Sequence, residues 1–279
     1  MRHPATILNE HGLYASKRRG QNYLAVESTA AAIVALAEIT PRDTVVEIGA
    51  GLGALTWHLA KYAGKVIALE IDRGIHQVLQ NELNSFANVE VRLADAMDFN
   101  WHEVSPPLKV VGNLPYAISS PLLFTLLENL DTWQSATLML QKELAQRLSA
   151  SSGSRQYGRL SVLLQSFCEI ENKMIVGPDS FFPKPSVDSL VFTLTPRLTP
   201  LVPLVEYGWF NQVVKAAFAN RRKTLLNSLS GSLPMEKVKV GQALEQAGID
   251  PNSRAESLSI SRLADMARQL YKFRITSCI

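Results

Sequence analysis

The sequence predicts an α/β fold, in which a doubly wound parallel sheet with helices on both faces precedes a smaller helical domain. Strand-like and helix-like segments alternate from residue 43 to about 148, which is typical of such a sheet. The stretch "TPRLTPLVPL" then carries three prolines that interrupt regular structure, and residues 208–271 have helical patterns only. We therefore predict a sheet domain of residues 1–197, with residues 1–20 mobile, and a helical domain of residues 198–279.

The composition is that of a globular protein with a sizeable core. Of 279 residues, 47% are hydrophobic and 19% are charged. The net charge of +3 does not by itself indicate a nucleic-acid partner. The two cysteines, Cys168 and Cys278, form no C-x-x-C or metal-binding pattern, which fits a reducing compartment. No apolar run is long enough to span a membrane, and the N-terminus lacks a secretory signal, so we expect a cytoplasmic protein.

The individual elements follow in order along the chain. Ser28 is placed to cap a first helix, which Pro41 ends. "DTVVEIGAG" predicts a strand that runs into a glycine loop, and "ALTWHLAKYA" predicts the next helix. Further strands are predicted at "KVIALEID", "VEVRLADA" and "LKVVGN", with the helix "GIHQVLQNEL" after the first of them. Ser120 and Pro121 are typical of a helix start, "ATLMLQKELAQRL" predicts a strand and then a helix, and "VDSLVFTLTPR" predicts a late strand.

Glycines and acids occur at three successive strand ends, where ligands bind in open α/β sheets. Gly49, Gly51 and Gly53 allow a tight turn close to a ligand. Glu70 ends the next strand, about 20 residues later, where it can accept hydrogen bonds from ribose hydroxyls, and Asp95 could accept from an adenine amine. The G-x-G-x-G spacing suits a nucleoside ligand without a pyrophosphate, such as S-adenosylmethionine. The loop alone could equally be a structural turn, but three such strand ends together favour a binding site.

The stretch "NLPY" places an amide, a rigid proline and an aromatic ring at the end of the fourth strand. The amino nitrogen of adenine is a poor nucleophile, because its lone pair is delocalised into the ring. The Asn113 side-chain oxygen and the Leu114 carbonyl could accept hydrogen bonds from that amine and so free the lone pair. Pro115 would fix the backbone, and Tyr116 would give the base a flat surface for stacking. A proline-stiffened helix start with a buried tyrosine is the structural alternative, but it gives Asn113 no role.

These motifs resemble the KsgA family of ribosomal RNA adenine dimethyltransferases, especially its bacterial members. The resemblance extends from about residue 17 to 270. Besides the glycine loop and "GNLPYAISSPLLF", it is carried by "GQNYL", "MLQKELAQRL", "YGRLSVLLQ", "FFPKPSVDS", "AFANRRKTLLNSL" and "GIDPNSRAESLS". It implies a Rossmann-like class I methyltransferase fold that uses S-adenosylmethionine. It also implies two adjacent target adenosines near the 3′ end of 16S rRNA, each methylated twice at N6 in the small (30S) ribosomal subunit.

The resemblance also assigns residues to roles. It implies catalytic roles for Asn113, Leu114 and Tyr116, with Phe181 as a second aromatic face for the target base. From the sequence alone, an aromatic residue in such a loop is more often part of the core. The resemblance implies cofactor contacts at Asn22, Leu24, Gly49, Glu70, Asp95 and Asn113.

Four residues depart from the family pattern. Ala50 replaces the usual proline, which could loosen the glycine loop. Ala117 replaces the usual asparagine after the tyrosine, which removes one polar contact near the base. Phe182 and Lys184 alter the loop around Phe181. These changes leave the number of methyl groups per base open.

Two basic clusters are candidates for rRNA phosphate contacts, which give affinity without reading sequence. Arg221, Arg222 and Lys223 are favoured as RNA-binding residues because Phe218 and Leu225 would anchor their helix. For the cluster at residues 17–19, an ordinary solvated face is an equal alternative. A target adenosine must leave its stack before methylation, so a flipped or single-stranded base is expected.

Two other classes of function compete with this interpretation. One is another target, either large-subunit rRNA, as in resistance methylases, or DNA. Those resistance enzymes typically have isoleucine where this chain has Leu114, and a different second domain. The other is a non-catalytic RNA-binding factor, which the intact stretch from Asn113 to Tyr116 disfavours. We expect the protein to act as a monomer.

Overall fold

A seven-stranded sheet forms the centre of the N-terminal part of the protein. The structure is a computed structural model that describes residues 2–16, 20–115 and 118–275. The strand order is β4-β3-β2-β5-β6-β9-β7, in which β2 to β6 are parallel neighbours and β9 runs antiparallel to β6. The predicted parallel α/β sheet is therefore confirmed, with an antiparallel strand added toward one edge. The seven strands are β2 (Thr44–Ile48), β3 (Lys65–Glu70), β4 (Val89–Leu93), β5 (Leu108–Asn113), β6 (Trp133–Gln141), β7 (Cys168–Val176) and β9 (Ser189–Pro196).

A second, two-stranded sheet joins segments that are distant in sequence. Strand β1 (Tyr23–Leu24) pairs antiparallel with β8 (Phe181–Phe182), so that Leu24 lies opposite Phe181. Strand β1 belongs to the predicted "GQNYL" motif, and β8 belongs to the predicted "FFPKP" motif. The structure therefore brings these two motifs side by side, which no local sequence pattern indicated.

Eleven α-helices occur in the described residues, and those of the predicted βα units are present. Two begin differently from the prediction. The first predicted helix begins at Glu27 without a side-chain cap from Ser28, and the helix after β5 begins at Ser119 rather than at Ser120. The helices are α1 (Pro4–Glu10), α2 (Glu27–Leu36), α3 (Thr56–Tyr62), α4 (Arg73–Glu82), α5 (Ser119–Glu128), α6 (Lys142–Leu148), α7 (Arg159–Phe167), α8 (Tyr207–Ala217), α9 (Leu225–Ser230), α10 (Lys237–Gln246) and α11 (Ile260–Ile275).

The N-terminal segment is folded where the structure describes it. Helix α1 buries Ile7 and Leu8, each 3% exposed. Leu8 packs with Tyr23 and Ile75 in one apolar cluster. The expectation that residues 1–20 are mobile is therefore wrong for the described residues 2–16. The reason is that burying two large aliphatic side chains stabilises this short helix through tertiary contacts, which its sequence alone does not reveal.

The chain divides into two units at different places from those predicted. Unit 1 comprises Met1–Ala145 and Glu169–Pro196, and unit 2 comprises Gln146–Cys168 and Arg197–Ile279. One division therefore lies near the predicted residue 198, but Gln146–Cys168 groups with the C-terminal residues. Within unit 2, the Phe167 ring on α7 contacts the rings of Tyr207 and Phe210 on α8. These aromatic contacts explain why α7 belongs with the later helices.

Unit 2 is helical, as predicted for residues 208–271. Helices α10 and α11 pack together, and their buried side chains include Val240, Leu244, Leu263, Met266 and Leu270. Among the described helices, none combines the length and the apolar character that a membrane span requires.

Candidate active site

A cavity of about 310 Å³ lies in unit 1 at the carboxyl ends of the parallel strands. This is the edge at which α/β sheets bind ligands, and the volume lies within the usual range for small-molecule sites. The cavity brings together most of the residues predicted from the sequence: Asn22, Leu24, Gly49, Gly51, Glu70, Asp95, Asn113 and Leu114 all line it. The ends of four strands, β2 to β5, therefore converge on one site with β1 and the residue Asn22 before it.

The glycine loop has the backbone conformation that its composition predicts. Gly49 has φ of +68° and Gly51 has φ of +56°, both in the left-handed region that favours glycine. A side chain at residue 51 would also lie 3.1 Å from the Tyr23 ring. The loop can therefore curve closely around a ligand only because these positions lack side chains.

Glu70 is held rigidly at the end of β3. Its Oε2 accepts a hydrogen bond from the Gly51 amide at 2.8 Å, and its Oε1 accepts one from the Asp72 amide at 2.8 Å. Burial raises the pKa of the Glu70 carboxyl above its ordinary value, and these two backbone hydrogen bonds oppose the rise. Because a carboxylate has about four acceptor sites, both oxygens keep capacity for ligand hydroxyls. The same side chain therefore fixes the glycine loop and faces the cavity.

Asp95 follows β4 and occupies the third strand end, as predicted. Its Oδ1 accepts a hydrogen bond from the Met97 amide at 2.9 Å. The neighbouring apolar surface of the cavity includes Ile71, which is 56% exposed. A cavity that presents both an acid and an exposed aliphatic side chain suits a flat base that carries an amine.

Glu47 is a cavity residue that the sequence analysis missed. It lies in β2 between buried neighbours and is only 1% exposed, and its Oε2 has no hydrogen-bond partner among the described residues. Burial raises the pKa of Glu47 from 4.5 to about 8; interactions with the Thr56 hydroxyl and amide oppose this rise, and the charge of Glu70 adds to it. The sequence feature that could have indicated this residue is an acid inside the otherwise apolar strand "VVEI". A buried, unsatisfied carboxyl on a cavity wall is a candidate partner for a positively charged ligand group.

Asn113 connects β5 to the segment before β1. Its Nδ2 donates a hydrogen bond to Asn22 O at 3.0 Å. This bond fixes which end of the amide is the donor, so Oδ1 points away from Asn22 and is the end available to accept. Leu114 follows with its side chain buried, and its amide donates to Met139 O at 3.1 Å.

The carbonyl groups after Asn113 differ in their hydrogen bonding. The Pro115 carbonyl accepts from the Ile118 amide and from Ser119 Oγ. Among the described residues, none donates a hydrogen bond to Leu114 O. Asn113 Oδ1 and Leu114 O are therefore two available acceptors on adjacent residues, and their predicted role toward an amine stays a prediction.

The structure describes only one of the two aromatic residues that were predicted to stack on the target base. Tyr116, like Ala117, lies outside the described residues, so its stacking role stays a prediction. Phe181 is only 6% exposed and packs in a core cluster with Leu24 and Ile33. A ring in this position offers a base little surface, because β8 directs it into the core beneath β1. The partly exposed neighbour Phe182 instead meets the His3 ring edge-on at 5.6 Å.

Two of the residues that depart from the family pattern, Ala50 and Lys184, form specific polar contacts. The Ala50 amide donates a hydrogen bond to Leu69 O at 3.0 Å, a bond that proline could not form. The Ala50 amide therefore ties the glycine loop to β3, and whether this alanine loosens the loop stays a prediction. Lys184 pairs with Asp179 at the surface.

The predicted RNA-binding cluster lies in unit 2, in the loop between α8 and α9. Arg221, Arg222 and Lys223 are all exposed there. Arg221 directs its guanidinium to the backbone carbonyls of Arg155 and Tyr157. The basic cluster predicted at residues 17–19 lies outside the described residues.

The cavity fits S-adenosylmethionine, the cofactor that the sequence predicts. That molecule has a ribose, an adenine and a positively charged methionine portion. Glu70 provides an acceptor suited to the ribose, Asp95 an acceptor suited to the adenine amine, and the unsatisfied Glu47 carboxyl an acid suited to a cationic group. The left-handed glycines leave space for a ligand against the backbone.

Comparisons with known proteins agree with this arrangement. A family model described as Ribosomal RNA adenine dimethylase matches residues 13–272. The chain is 42% identical over 275 residues to Ribosomal RNA small subunit methyltransferase A of Moorella thermoacetica, covering 95% of each chain. It is 40% identical over 274 residues to the protein of the same name from Shouchella clausii, covering 95% of this chain and 93% of the relative.

Solved structures give the same result for the fold. A dimethyladenosine transferase from Plasmodium falciparum has a TM-score of 0.73 at 28% identity, covering 90% of this chain and 98% of its own. The 23S rRNA methyltransferase ErmE has a TM-score of 0.65 at 28% identity, covering 90% of this chain and all of its own. Together with the sheet, these similarities confirm the predicted class I methyltransferase fold.

Proposed function

Because the chain belongs to the ribosomal RNA adenine dimethylase family, we propose that it methylates two adjacent adenosines near the 3′ end of 16S rRNA. Each adenosine receives two methyl groups at N6 during maturation of the 30S subunit. The observation that carries this proposal is the hydrogen bond that the Asn113 side-chain amide donates to Asn22 O. This bond turns the acceptor oxygen of Asn113 away from Asn22. An acceptor fixed in this way, beside the Leu114 carbonyl, suits a substrate amine.

Bound S-adenosylmethionine supplies an electrophilic methyl group on a sulfonium sulfur. The protein's part is to orient the adenine amine and to change its hybridisation. When Asn113 Oδ1 and Leu114 O accept hydrogen bonds from its two N–H groups, the nitrogen would become tetrahedral. Its lone pair could then form the new N–C bond while the methyl–sulfur bond breaks and the sulfonium leaves as a neutral thioether. No general base is needed for the attack, because the methylated ammonium is acidic and loses its proton afterwards. An amide and a carbonyl, neither of them a base, are therefore sufficient.

The target base also needs a surface to hold it. We assign stacking to Tyr116, which directly follows the rigid Pro115. Phe181 was predicted to provide a second face, but its burial supports a different role. Through the β1–β8 pairing it lies opposite Leu24, a residue that lines the cofactor cavity. We propose that Phe181 supports the cofactor wall instead of stacking on the base.

Several observations favour the small subunit over other targets. The relatives at 40–42% identity are named as small-subunit enzymes, whereas the 23S rRNA enzyme ErmE is 28% identical. This chain also has Leu114 where the resistance enzymes typically have isoleucine. The exposed Arg222 and Lys223 are proposed to contact rRNA phosphates. The protein is proposed to act as a monomer in the cytoplasm.

A competition experiment tests this choice of substrate. Purified protein and labelled S-adenosylmethionine are mixed with equal amounts of unmethylated small and large ribosomal subunits, and label in each rRNA is counted. We expect label in 16S rRNA only. An Asn113→Ala control, which keeps the rest of the cavity, should leave both rRNAs unlabelled. Label chiefly in 23S rRNA would contradict the proposed target, and label in neither rRNA with the wild-type protein would contradict the proposed activity.

A further inference from the structure

Arg221 occupies a different environment from the other two residues of its cluster. Its Nη1 donates a hydrogen bond to Arg155 O at 3.1 Å, and its Nη2 donates one to Tyr157 O at 3.0 Å. Both acceptors lie in the loop of residues 149–158, which joins α6 to α7 within unit 2. We call this segment the bracket loop. The planar guanidinium thus uses its two terminal nitrogens to hold two carbonyls two residues apart in sequence, a geometry that lysine cannot reproduce.

The bracket loop has other attachments, but they lie on either side of Arg155. Tyr157 is 1% exposed, and its ring meets the Phe218 ring edge-on at 5.9 Å. On the other side, the Gly153 amide donates to Glu256 O at 2.7 Å. Among the described residues, only Arg221 forms a hydrogen bond with the backbone of Arg155. The Tyr157 amide also donates to Ser154 O at 3.2 Å, which closes a turn around Arg155, so Arg221 adds the hydrogen bond that ties this turn to the basic cluster.

Holding the bracket loop in this way concentrates positive charge. Arg155, Arg222 and Lys223 are all exposed, and the Arg221 guanidinium lies within hydrogen-bonding distance of the Arg155 backbone. In the part of the chain that the structure describes, no carboxylate forms an ion pair with any of these four side chains. Like charges gathered without counter-charges repel one another, so the arrangement costs free energy unless an anion relieves it. A phosphate backbone supplies closely spaced negative charges of this kind.

We propose that Arg221 is a positioning residue, which fixes the bracket loop so that Arg155 joins Arg222 and Lys223 in one RNA phosphate-binding surface. This inference rests on the proposed rRNA substrate. It adds Arg155 as a phosphate contact that no sequence motif indicated, and it separates Arg221 from the other two cluster residues. Both terminal nitrogens of Arg221 donate an N–H to the protein backbone, which fixes the orientation of its guanidinium against the bracket loop.

A double-mutant cycle on the full-length protein tests the assignment. Affinity for unmethylated small subunits is measured at several salt concentrations for Arg155→Ala, Arg221→Lys and the double variant. Arg222→Ala, alone and combined with Arg155→Ala, is the matched control. Arg155→Ala and Arg222→Ala should each lower the salt slope by about one and weaken binding roughly threefold to tenfold. Their combined effect should be the product of the two.

The Arg221→Lys variant keeps the positive charge but loses the planar guanidinium with its two terminal nitrogens. It therefore separates a direct phosphate contact by residue 221 from the positioning of the bracket loop. If Arg221 acts through Arg155, this variant should bind as weakly as Arg155→Ala. Adding Arg155→Ala to it should then weaken binding by less than about twofold. Wild-type binding by Arg221→Lys, or a multiplicative effect with Arg155→Ala, would overturn the proposal. So would an unchanged salt slope for Arg155→Ala.

Hydrogen exchange provides a readout that needs no RNA. In Arg221→Lys, the amides of residues 154–157 should exchange faster, while those of α8 and α11 should keep their wild-type rates. Acceleration throughout those helices would contradict a local positioning role. If wild-type protein fails to bind small subunits, the proposed function fails, yet the exchange pattern still decides whether Arg221 positions the bracket loop.

Discussion

Replacing Glu47 with glutamine should remove a pH-dependent loss of stability. Glu47 is buried in β2 with an unsatisfied oxygen, and its pKa in the folded protein is raised from 4.5 to about 8. Between these two values the folded protein keeps the proton while the unfolded chain releases it. The free energy of unfolding therefore falls as pH rises through this window, by about 1.4 kcal/mol per pH unit. The full difference of roughly 3.5 pH units corresponds to about 5 kcal/mol above pH 8.

Glutamine resembles the neutral acid and cannot ionise. In Glu47→Gln, the contribution of this residue should therefore be constant with pH, whereas all other titrating groups are shared with the wild type. The difference in unfolding free energy between the two proteins should grow in favour of the variant from about pH 5 to pH 8. Above pH 8 the difference should level off.

Urea unfolding of both proteins across this pH range measures the difference. Extrapolating each unfolding free energy to zero denaturant at each pH gives the two curves. Glu128→Gln, at the exposed end of α5, is a suitable control and should follow the wild type. If the wild-type and Glu47→Gln curves stay parallel from pH 5 to pH 8, Glu47 does not keep its proton in the folded protein over this range, and the raised pKa is refuted.

Four further substitutions probe the cavity and the base site. Glu70→Ala should weaken S-adenosylmethionine binding in calorimetry by roughly 1.5–3 kcal/mol through loss of a charged acceptor; unchanged affinity would remove Glu70 from the cofactor site. Gly51→Ala should lower the melting temperature and cofactor affinity, because a left-handed φ costs alanine about 1–2 kcal/mol and its Cβ would lie 3.1 Å from the Tyr23 ring; wild-type values for both would show that the loop adapts. Tyr116→Ala should keep cofactor affinity and lower single-turnover methylation, since base stacking is worth roughly 1–3 kcal/mol, whereas Asn113→Ala should lower both. A wild-type methylation rate for Tyr116→Ala would refute the stacking role.

The fold and the cofactor side of the cavity were predictable because their signals are local. Alternation of strands and helices predicts the parallel sheet, and strand-end residues such as Gly49, Glu70 and Asp95 converge because parallel strands end at one edge. Enzyme class and cofactor follow from the same residues, and membership of the family confirms both. The acceptor pair at Asn113 and Leu114 was predicted from the chemistry of an amine, and its role stays a prediction.

Features that depend on distant contacts were missed or misassigned. The N-terminal helix α1 is stabilised by packing on Tyr23 and Ile75, and Phe181 is buried because β8 pairs with β1. Arg221 appeared to be one of three equivalent basic residues, but its partners lie 64 and 66 residues earlier in the chain. A sequence pattern shows spacing within a segment, and it does not show which remote backbone a side chain will meet.

Analysis of the modified nucleosides in 16S rRNA tests the central claim most directly. Unmethylated small subunits are incubated with S-adenosylmethionine and the protein, and the rRNA is then examined by mass spectrometry and by primer extension. We predict N6,N6-dimethyladenosine at two adjacent positions near the 3′ end, and none when the protein carries Asn113→Ala. Unmodified adenosines there after incubation with the wild-type protein, or methyl groups on another base or another atom of adenine, would contradict the account.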